Sequence, residues 1–453
     1  MSTDRFTLGE GSGSRLLAPG LPDDVFATES LKVWVASGCL WLESGGEVTV
    51  RDAETLVGFV AWQDRVVTVW QAHGRYTINH ELSDRPPLTM GSARGVDSGV
   101  DWAVLDLGHE RQVICLASGD RKKIPVGASD ARPQPWEAGP GILWLDGEQV
   151  YRFEEGDKPR SCGRLPCSAD RWRAGPQGSG LFDTDDGIYV LAPGRGLSPI
   201  PGIDFGSARF GPDGLMLAGA TETGVAWWDL KTGEIRAHLE GRLIPVGFDR
   251  HPLLLDEDLG VIRTWSGDPV LAGLTPSAVA LHGDRLYGPG GTAWNIATAT
   301  RAWATSPIAG DHLMATDGGV IQVDDRIIGY DTDGNKVFDL PLPIDDELDG
   351  DIYSAHWVNG MMYFEVEEGW VQVDFTGRRL GDTPCPSIDE SERSLPEGWT
   401  FDTDSGEVTG NGERCPIRFD GVVATQDQRV LAWSEDGVLC ILDVPSPTRQ
   451  SPI

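Results

Sequence analysis

The chain repeats a short unit about every 37 residues. In each unit an apolar segment ends at a Gly or Asp turn, and a second apolar segment follows that often ends in Asp. A turn such as Thr-Gly then leads into a further apolar segment. The clearest copy extends from Gly224 to Leu239. The residues that end the third run of eight such units are Ala117, Glu154, Ala192, Asp229, Trp265, Asn295, Asp331 and Asp374. Self-similarity at a fixed period of roughly 20 to 50 residues indicates a repeat architecture, in which each unit packs on its neighbours.

The runs alternate apolar and polar residues and are punctuated by 58 Gly and 30 Pro. Period-two alternation bounded by turn residues is typical of half-buried β-strands. Two shorter strands precede each anchor, as they do from Ser207 and from Leu215 in front of Asp229. The sequence therefore predicts an all-β protein with four antiparallel strands in each period.

With this pattern the chain resembles the β-propeller superfamily, with WD40-like or quinoprotein-like blades, from about Leu31 to Val444. Trp227, Trp228 and Asp229, followed by a Lys-Thr-Gly turn, resemble the WD strand of such blades. The resemblance implies four-stranded antiparallel blades and, in many such proteins, a role as an interaction scaffold. It also implies that the last unit, which stops after its third strand, takes an outer strand from residues 5–8 or 15–17.

The number of units leaves the domain organisation open. Further units at Asp52, near Asn79 and at Asp443 bring the total to 11, whereas natural rings usually have about 4 to 8 blades. Residues 1–30 are expected to form an N-terminal tail and residues 31–450 the propeller region. That region forms either two smaller rings, divided near residues 201–248, or one ring with additional N-terminal hairpins. Residues 381–414 are expected to form an insertion or an irregular blade.

Charge restricts the partners that such a chain can bind. The chain has 37 Lys and Arg against 70 Asp and Glu, a net charge of −33. This field repels phosphate backbones and anionic lipids, so neither nucleic acid nor membrane is an expected partner. No apolar run resembles a secretory signal or reaches the ~18 residues of a membrane-spanning helix, and seven scattered cysteines favour reduced thiols. The sequence thus predicts an acidic cytoplasmic protein.

Motifs for catalysis are sparse. The eight histidines lie far apart without metal-ligand spacing, and neither a nucleophile elbow nor a P-loop occurs. Acidic segments at 182–187, 330–335 and 401–407 place carboxylates two residues apart, as Ca²⁺ ligands can be. Asp and Gly are also the residues that hairpin turns require, and this interpretation is favoured. No catalytic residue, metal site or cofactor is assigned.

One segment combines charge with aromatic residues and is the candidate partner-binding site. Its residues are Asp345, Asp346, Glu347, Asp349, Tyr353, His356 and Trp357. The carboxylates would steer a basic surface or segment of a partner protein, and the aromatic rings would anchor it. The alternative interpretation is a solvated loop followed by an ordinary first strand of the next blade.

These features favour a non-enzymatic scaffold for protein–protein interaction, a subunit of a multi-protein assembly. The alternative from another class is a propeller enzyme, of hydrolase, lyase or lactonase-like type, with Ca²⁺ or an Asp/His site in the central channel. Residues gathered from different blades have no sequence spacing that would reveal them. A quinone-dependent dehydrogenase is a third hypothesis, although that family is usually exported.

Overall fold

The computed structural model shows a chain made of short strands joined by tight turns. The structure describes residues 6–8, 14–19, 24–28, 30–91, 93–108, 110–123, 132–139, 141–154, 158–248, 251–256, 261–272, 280–282, 285–288, 292–295, 300–304, 312–316, 318–323, 326–344, 351–386, 395–403, 405–410, 413–424, 429–434 and 438–442. In this part of the chain no helix is long and apolar enough to cross a lipid bilayer.

The strands are short and follow one another from the N-terminus to the C-terminus. The first sixteen are β1 (Phe6–Leu8), β2 (Arg15–Pro19), β3 (Asp24–Ala27), β4 (Leu31–Ala36), β5 (Cys39–Ser44), β6 (Glu47–Asp52), β7 (Leu56–Trp62), β8 (Arg65–Ala72), β9 (Arg75–His80), β10 (Leu88–Met90), β11 (Gly95–Ser98), β12 (Trp102–Asp106), β13 (Arg111–Cys115), β14 (Arg121–Lys123), β15 (Arg132–Pro135) and β16 (Gly141–Asp146). The next sixteen are β17 (Gln149–Glu154), β18 (Arg160–Arg164), β19 (Ala169–Ala174), β20 (Gly180–Thr184), β21 (Gly187–Ala192), β22 (Gly196–Ile200), β23 (Arg209–Phe210), β24 (Met216–Thr221), β25 (Gly224–Asp229), β26 (Glu234–Glu240), β27 (Leu243–Phe248), β28 (Pro252–Asp256), β29 (Val261–Arg263), β30 (Pro269–Ala272), β31 (Ala280–His282) and β32 (Arg285–Gly288). The last sixteen are β33 (Thr292–Asn295), β34 (Thr300–Ala304), β35 (His312–Thr316), β36 (Gly319–Val323), β37 (Arg326–Asp331), β38 (Lys336–Pro341), β39 (Ile352–Val358), β40 (Met361–Val366), β41 (Gly369–Asp374), β42 (Arg379–Gly381), β43 (Trp399–Asp402), β44 (Glu407–Gly410), β45 (Glu413–Arg418), β46 (Gly421–Ala424), β47 (Val430–Trp433) and β48 (Val438–Leu442). A single 3₁₀ turn, Pro176–Gly178, is the one helical element among the described residues.

The strands form twelve antiparallel sheets within the described ranges, which we number along the chain. Sheet 1 contains β3–β6 and β1; sheets 2 to 10 each contain four consecutive strands, from β7–β10 to β39–β42; sheet 11 contains β43–β45, and sheet 12 contains β46–β48 and β2. The first strands of sheets 3, 4 and 5 begin at Gly95, Arg132 and Ala169, 37 residues apart. Such repeated up-and-down sheets are the blades of a β-propeller, so the predicted all-β propeller fold is confirmed.

Two N-terminal strands pair with sheets formed by later residues. Strand β2 lies antiparallel to β48, with Leu16 opposite Cys440, and supplies the outer strand of sheet 12. Strand β1 pairs with β6 instead, with Thr7 opposite Thr49. The division of the sheets into one ring or two stays a prediction. Residues 381–414 contribute to sheet 11, which has three strands in the part of the chain that the structure covers.

Apolar clusters between neighbouring sheets hold the fold together. Leu31 and Val33 of sheet 1, for example, pack with Ala61 and Val66 of sheet 2. Comparable clusters join sheet 2 to sheet 3 and each following pair of neighbouring sheets up to sheets 6 and 7. Two more clusters join sheet 8 to sheet 9 and sheet 9 to sheet 10. Because both faces of most sheets are covered in this way, their strands contain runs of apolar residues as well as alternating ones.

A larger cluster brings together sheets 1, 7, 11 and 12. Trp34 and Trp41 are fully buried there and stack with ring centroids 5.7 Å apart. The approach of sheet 7 to sheet 1 is close at Gly247, where a Cβ would lie 2.9 Å from the carbonyl oxygen of Ala27. Glycine is therefore required at this contact because a side chain would separate the two sheets.

All seven cysteines are free. Cys39, Cys415 and Cys440 lie in the cluster formed by sheets 1, 7, 11 and 12, and burial raises the pKa of Cys39 and of Cys415 to about 12. A buried thiol with a raised pKa is a weak nucleophile. These three cysteines therefore act as small apolar core residues.

A buried hydrogen-bonded network links sheets 1 and 2. Arg51 donates to both carboxylate oxygens of Glu81, at 2.7 and 2.8 Å. Thr68 donates to the same carboxylate at 2.5 Å and accepts a 2.7 Å hydrogen bond from the indole of Trp70. Thr68 and Glu81 are buried, so this network satisfies polar groups that would otherwise be costly to remove from water.

The acidic segments considered as calcium sites form turns. The carboxylate of Asp331 accepts hydrogen bonds from the backbone amides of Asp333 and Asn335, at 2.9 and 2.8 Å. Asp402 accepts from the amide of Ser405 at 3.2 Å, and Asp183 is paired with Arg171. Asp side chains used in this way stabilise the backbone of a turn.

Candidate functional site

The residues predicted to bind a partner fall into two groups. Asp345, Asp346, Glu347 and Asp349 lie outside the described residues. Tyr353, His356 and Trp357 lie on β39, the first strand of sheet 10. Tyr353 occupies an irregularity in the β39–β40 register and is 60% exposed. As a partner-binding set, these residues stay a prediction.

His356 and Trp357 point to opposite faces of sheet 10, as adjacent strand residues do. Trp357 packs against the apolar cluster between sheets 9 and 10. The imidazole of His356 lies on the other face, 5.8 Å from the ring of Trp370. That face also carries a 2.8 Å hydrogen bond from Ser354 to Glu365 and a 3.0 Å hydrogen bond from Gln372 to the Tyr363 hydroxyl. Trp357 thus packs on the edge of a core cluster, His356 is partly buried on the opposite face, and Tyr353 is exposed.

A cavity of about 510 Å³ lies among sheets 2, 3 and 4. Its walls combine apolar and polar residues in about equal measure, and its charged groups come from β11 and from the hairpin between β12 and β13. The lining residues are Val57, Tyr76, Gly95, Val96, Asp97, Val104, Asp106, Arg111, Pro133 and Gln134. A cavity with apolar walls and a few polar groups is the usual form of a binding site.

Asp97 is the cavity residue with an altered acidity. Its side chain reaches solvent within the cavity. Partial removal of water raises the pKa of the Asp97 carboxyl, Arg111 opposes this rise, and the charge of Asp106 adds to it. A carboxylate with a raised pKa has unsatisfied charge and gains from a further cation in its cavity.

The other hydrogen-bond acceptors of the cavity, on Asp106, Tyr76 and Gln134, already take part in hydrogen-bonded contacts. The Asp106 carboxylate accepts a 2.7 Å hydrogen bond from the Gly108 amide, and the Tyr76 hydroxyl donates to the Arg94 carbonyl at 3.1 Å. The Gln134 amide group accepts from the Ala174 amide and donates to the Trp172 carbonyl. Asp97 is therefore the acceptor most open to a ligand in this cavity.

The chemistry of the cavity is that of cation binding. Two carboxylates and one guanidinium leave a net charge of −1 when Asp97 is ionised. The apolar walls formed by Val57, Val96 and Val104 suit the aliphatic stem of a long basic side chain. In the described part of the chain, no group of three or more His, Cys, Asp or Glu residues is arranged to hold a metal ion.

A second collection of charge recurs at a fixed interval. Arg65, Asp101, Glu137, Arg173 and Arg209 are spaced 36 residues apart and lie at or beside the connection between the first and second strands of sheets 2 to 6. Arg65 and Asp101 form a 2.6 Å ion pair, and Asp101 also accepts from the Gly139 amide at 3.2 Å. The recurrence of these charged residues is present in the sequence. It can be found only by comparing charged positions between repeats, and the residues that end the third strands do not show it.

No profile of a protein family and no curated protein matches the sequence. Solved structures similar to the chain include Hsv2 of Kluyveromyces lactis, which is 12% identical, covers 47% of this chain and 74% of its own, and has a TM-score of 0.34. The β-propeller domain of the Trilobed protease of Pyrococcus furiosus is 11% identical, covers 55% and 93% respectively, and has a TM-score of 0.37. Dihydro-heme d1 dehydrogenase NirN is 14% identical, covers 74% and 77%, and also has a TM-score of 0.37. The likeness concerns the arrangement of strands alone.

Proposed function

We propose that this chain is a non-enzymatic β-propeller scaffold of the cytoplasm that binds a basic segment of a partner protein. The supporting observation is the cavity among sheets 2, 3 and 4, in which the open carboxylate of Asp97 lies beside apolar walls. An Arg or Lys side chain would place its stem against Val57 and Val96 and its charge at Asp97. The partner is then a protein with a protruding basic side chain, held within a larger assembly.

The electrostatics of the whole chain support a basic partner. A net charge of −33 raises the local concentration of cations and the rate at which a basic partner arrives. The field alone is not selective, since every part of an acidic surface attracts cations. Selectivity comes from the cavity, which combines a carboxylate of raised pKa with an apolar wall for the side-chain stem.

The test measures the affinity of a short peptide with one central Arg, by fluorescence anisotropy at fixed salt. The double variant Asp97→Asn/Asp106→Asn removes two charges from the cavity. The matched control, Asp185→Asn/Asp186→Asn, removes two charges from an exposed turn. We expect about a tenfold loss of affinity in the cavity variant, since a hydrogen bond to a charged group contributes roughly 1.5–3 kcal/mol. The control should change the affinity less than about twofold, because screening weakens distant charges.

Equal losses in the two double variants would show that the peptide binds to the acidic surface in general. The proposal would then be wrong in its site. Failure of the wild-type protein to bind peptides with either Arg or Lys at the central position would overturn the proposed function itself.

A hydrolase is a second candidate function, favoured by a specific observation. Asp97 has a raised pKa and shares its cavity with a second carboxylate, Asp106, a combination that suits general acid–base chemistry. A panel of glycosides, esters and lactones would test it. Turnover that is abolished in Asp97→Asn but retained in Asp186→Asn would favour the enzyme over the scaffold.

A further inference from the structure

Two guanidinium groups converge on a single carbonyl oxygen between sheets 5 and 6. Arg173 on β19 donates through Nη2 to the carbonyl oxygen of Ala208. Arg209 on β23 donates through Nη1 to the same oxygen at 3.0 Å. Arg209 also donates to the Gly206 carbonyl oxygen at 3.1 Å. Two positive charges are thus held close together by neutral acceptors, in a chain whose net charge is strongly negative.

The charge of these two arginines is not neutralised by a direct ion pair. Arg171, two residues before Arg173, is held by the Asp183 carboxylate at 2.6 Å, whereas no described residue forms a salt bridge with Arg173 or Arg209. The acidic groups that act on Arg173 from further away are Glu137 and Asp204. In addition, the Nε atom of Arg173 is buried and has no hydrogen-bond partner among the described residues.

The repulsion between the charges is visible in the acidity of Arg173. Burial lowers the pKa of Arg173 to about 10, and the neighbouring charge of Arg209 contributes to that shift. Burial also raises the pKa of the Glu137 carboxyl, although Arg173 and Arg209 oppose that rise. Both effects show a region with little water, in which an added anion would interact strongly with the two guanidinium groups.

An aromatic ring contacts Arg173 and its neighbour Arg171. The guanidinium carbons of Arg171 and Arg173 lie 5.0 and 5.3 Å from the ring centroid of Phe205. Cation–π contacts of this kind restrain the side chains without neutralising them. Phe205, Arg173 and Arg209 are each only partly buried, so a small solute can reach the group.

We propose that Arg173 and Arg209 form a binding site for a dianionic phosphoryl group, supplied by free phosphate or by a small phosphate monoester. The planar guanidinium fork donates two parallel hydrogen bonds and matches phosphate geometry. A bound phosphoryl oxygen would accept hydrogen bonds from the two guanidinium groups that now both donate to the Ala208 carbonyl oxygen. This site lies between sheets 5 and 6, on β19 and β23, whereas the Asp97 cavity lies among sheets 2, 3 and 4.

The experiment is a calorimetric titration with inorganic phosphate and, in parallel, with glycerol phosphate, with ionic strength held constant by sodium chloride. Variants Arg173→Gln and Arg209→Gln each remove one fork, and Arg209→Lys keeps the charge without the fork. The matched control is Arg164→Gln, which removes a cation that is 73% exposed and paired with Glu148. Circular dichroism of each variant establishes that it is folded.

We expect the Gln variants to bind phosphate about tenfold more weakly, Arg209→Lys to be intermediate, and Arg164→Gln to stay within about twofold of wild type. Equal binding of both ligands would indicate that the site recognises the phosphoryl group itself. Binding of glycerol phosphate alone would indicate that the natural ligand is a phosphate monoester. Either result would support the site. Absence of binding of either ligand at about 10 mM to the wild-type protein would overturn it. So would unchanged binding in the folded Arg209→Gln variant.

The result is independent of the proposed scaffold function. Asp97→Asn/Asp106→Asn, which is expected to weaken binding of the basic peptide, should leave phosphate binding unchanged. Loss of phosphate binding in that variant would contradict the placement of the site at Arg173 and Arg209.

Discussion

Two partly buried arginine clusters in this protein have opposite electrostatic surroundings. Between sheets 1 and 2, Arg51 meets the Glu81 carboxylate with two hydrogen bonds, and Thr68 donates to the same carboxylate. Between sheets 5 and 6, Arg173 and Arg209 share one carbonyl oxygen and have no salt bridge with any described residue. The first arrangement neutralises the positive charge of Arg51, whereas the second places two positive charges side by side.

This contrast separates structural charge from charge that is open to a ligand. A buried ion pair with its hydrogen bonds formed contributes to a fixed contact between two sheets, and removing one partner leaves the other without compensation. Two like charges beside a neutral acceptor make no such contribution. Substitutions at the two places should therefore affect stability very differently.

The greatest loss of stability is expected for Glu81→Ala. It leaves the Arg51 guanidinium and the Thr68 hydroxyl without their acceptor in a site where the Glu81 side chain is 3% exposed. Breaking a buried pair in this way costs about 3–5 kcal/mol. Urea denaturation would measure the loss in the free energy of unfolding. The control Glu148→Ala removes the carboxylate of an exposed pair with Arg164 and should cost less than about 1 kcal/mol.

A smaller loss is expected for Thr68→Val, which keeps the shape of the side chain and removes its hydroxyl. The Trp70 indole then loses its acceptor at 2.7 Å, and Glu81 loses a donor at 2.5 Å. An unsatisfied buried group costs about 1–3 kcal/mol. The exposed Thr223→Val serves as control in the same denaturation assay. Equal stability of the two variants would show that this network does not contribute to the contact between sheets 1 and 2.

These networks also show what the sequence could and could not predict. The 37-residue period, the strand alternation and the Asp turns depend on residues close together in the chain, and they predicted the blades correctly. The Asp97 cavity combines residues of three sheets, for example Tyr76 of sheet 2, Asp97 of sheet 3 and Pro133 of sheet 4, and no local spacing connects them. For the same reason, the packing of Trp357 on the cluster formed by sheets 9 and 10 could not be deduced from the residues around it in the sequence.

Asp229→Asn should have a modest and pH-dependent effect. A side-chain hydrogen bond from Arg236, with backbone bonds from Lys231 and Thr232, lowers the pKa of the Asp229 carboxyl. The stabilisation is therefore present above the unfolded pKa of about 3.9 and is lost as the pH falls through the lower folded value. We expect a loss of about 0.5–1 kcal/mol at neutral pH, since Arg236 is exposed, and a progressively smaller loss as the pH falls below about 3.9. A loss that is independent of pH would show that the carboxylate charge is not its cause.

The least effect on stability, and the sharpest contrast with Glu81, is expected for Arg209→Gln. Removing one of two like charges leaves Arg173 with the Ala208 carbonyl as its acceptor and removes the repulsion that contributes to its lowered pKa. The free energy of unfolding should change by less than about 0.5 kcal/mol, although a partly buried charged residue is lost.

The pKa of Arg173 should rise from about 10 towards the ordinary value for arginine, which ¹⁵N NMR titration of the guanidinium group would detect. Phosphate should raise the melting temperature of the wild-type protein and not that of this variant, because a ligand stabilises only the folded state that binds it. A large loss of stability in Arg209→Gln without phosphate would instead place Arg209 with Arg51, among the charges that hold neighbouring sheets together.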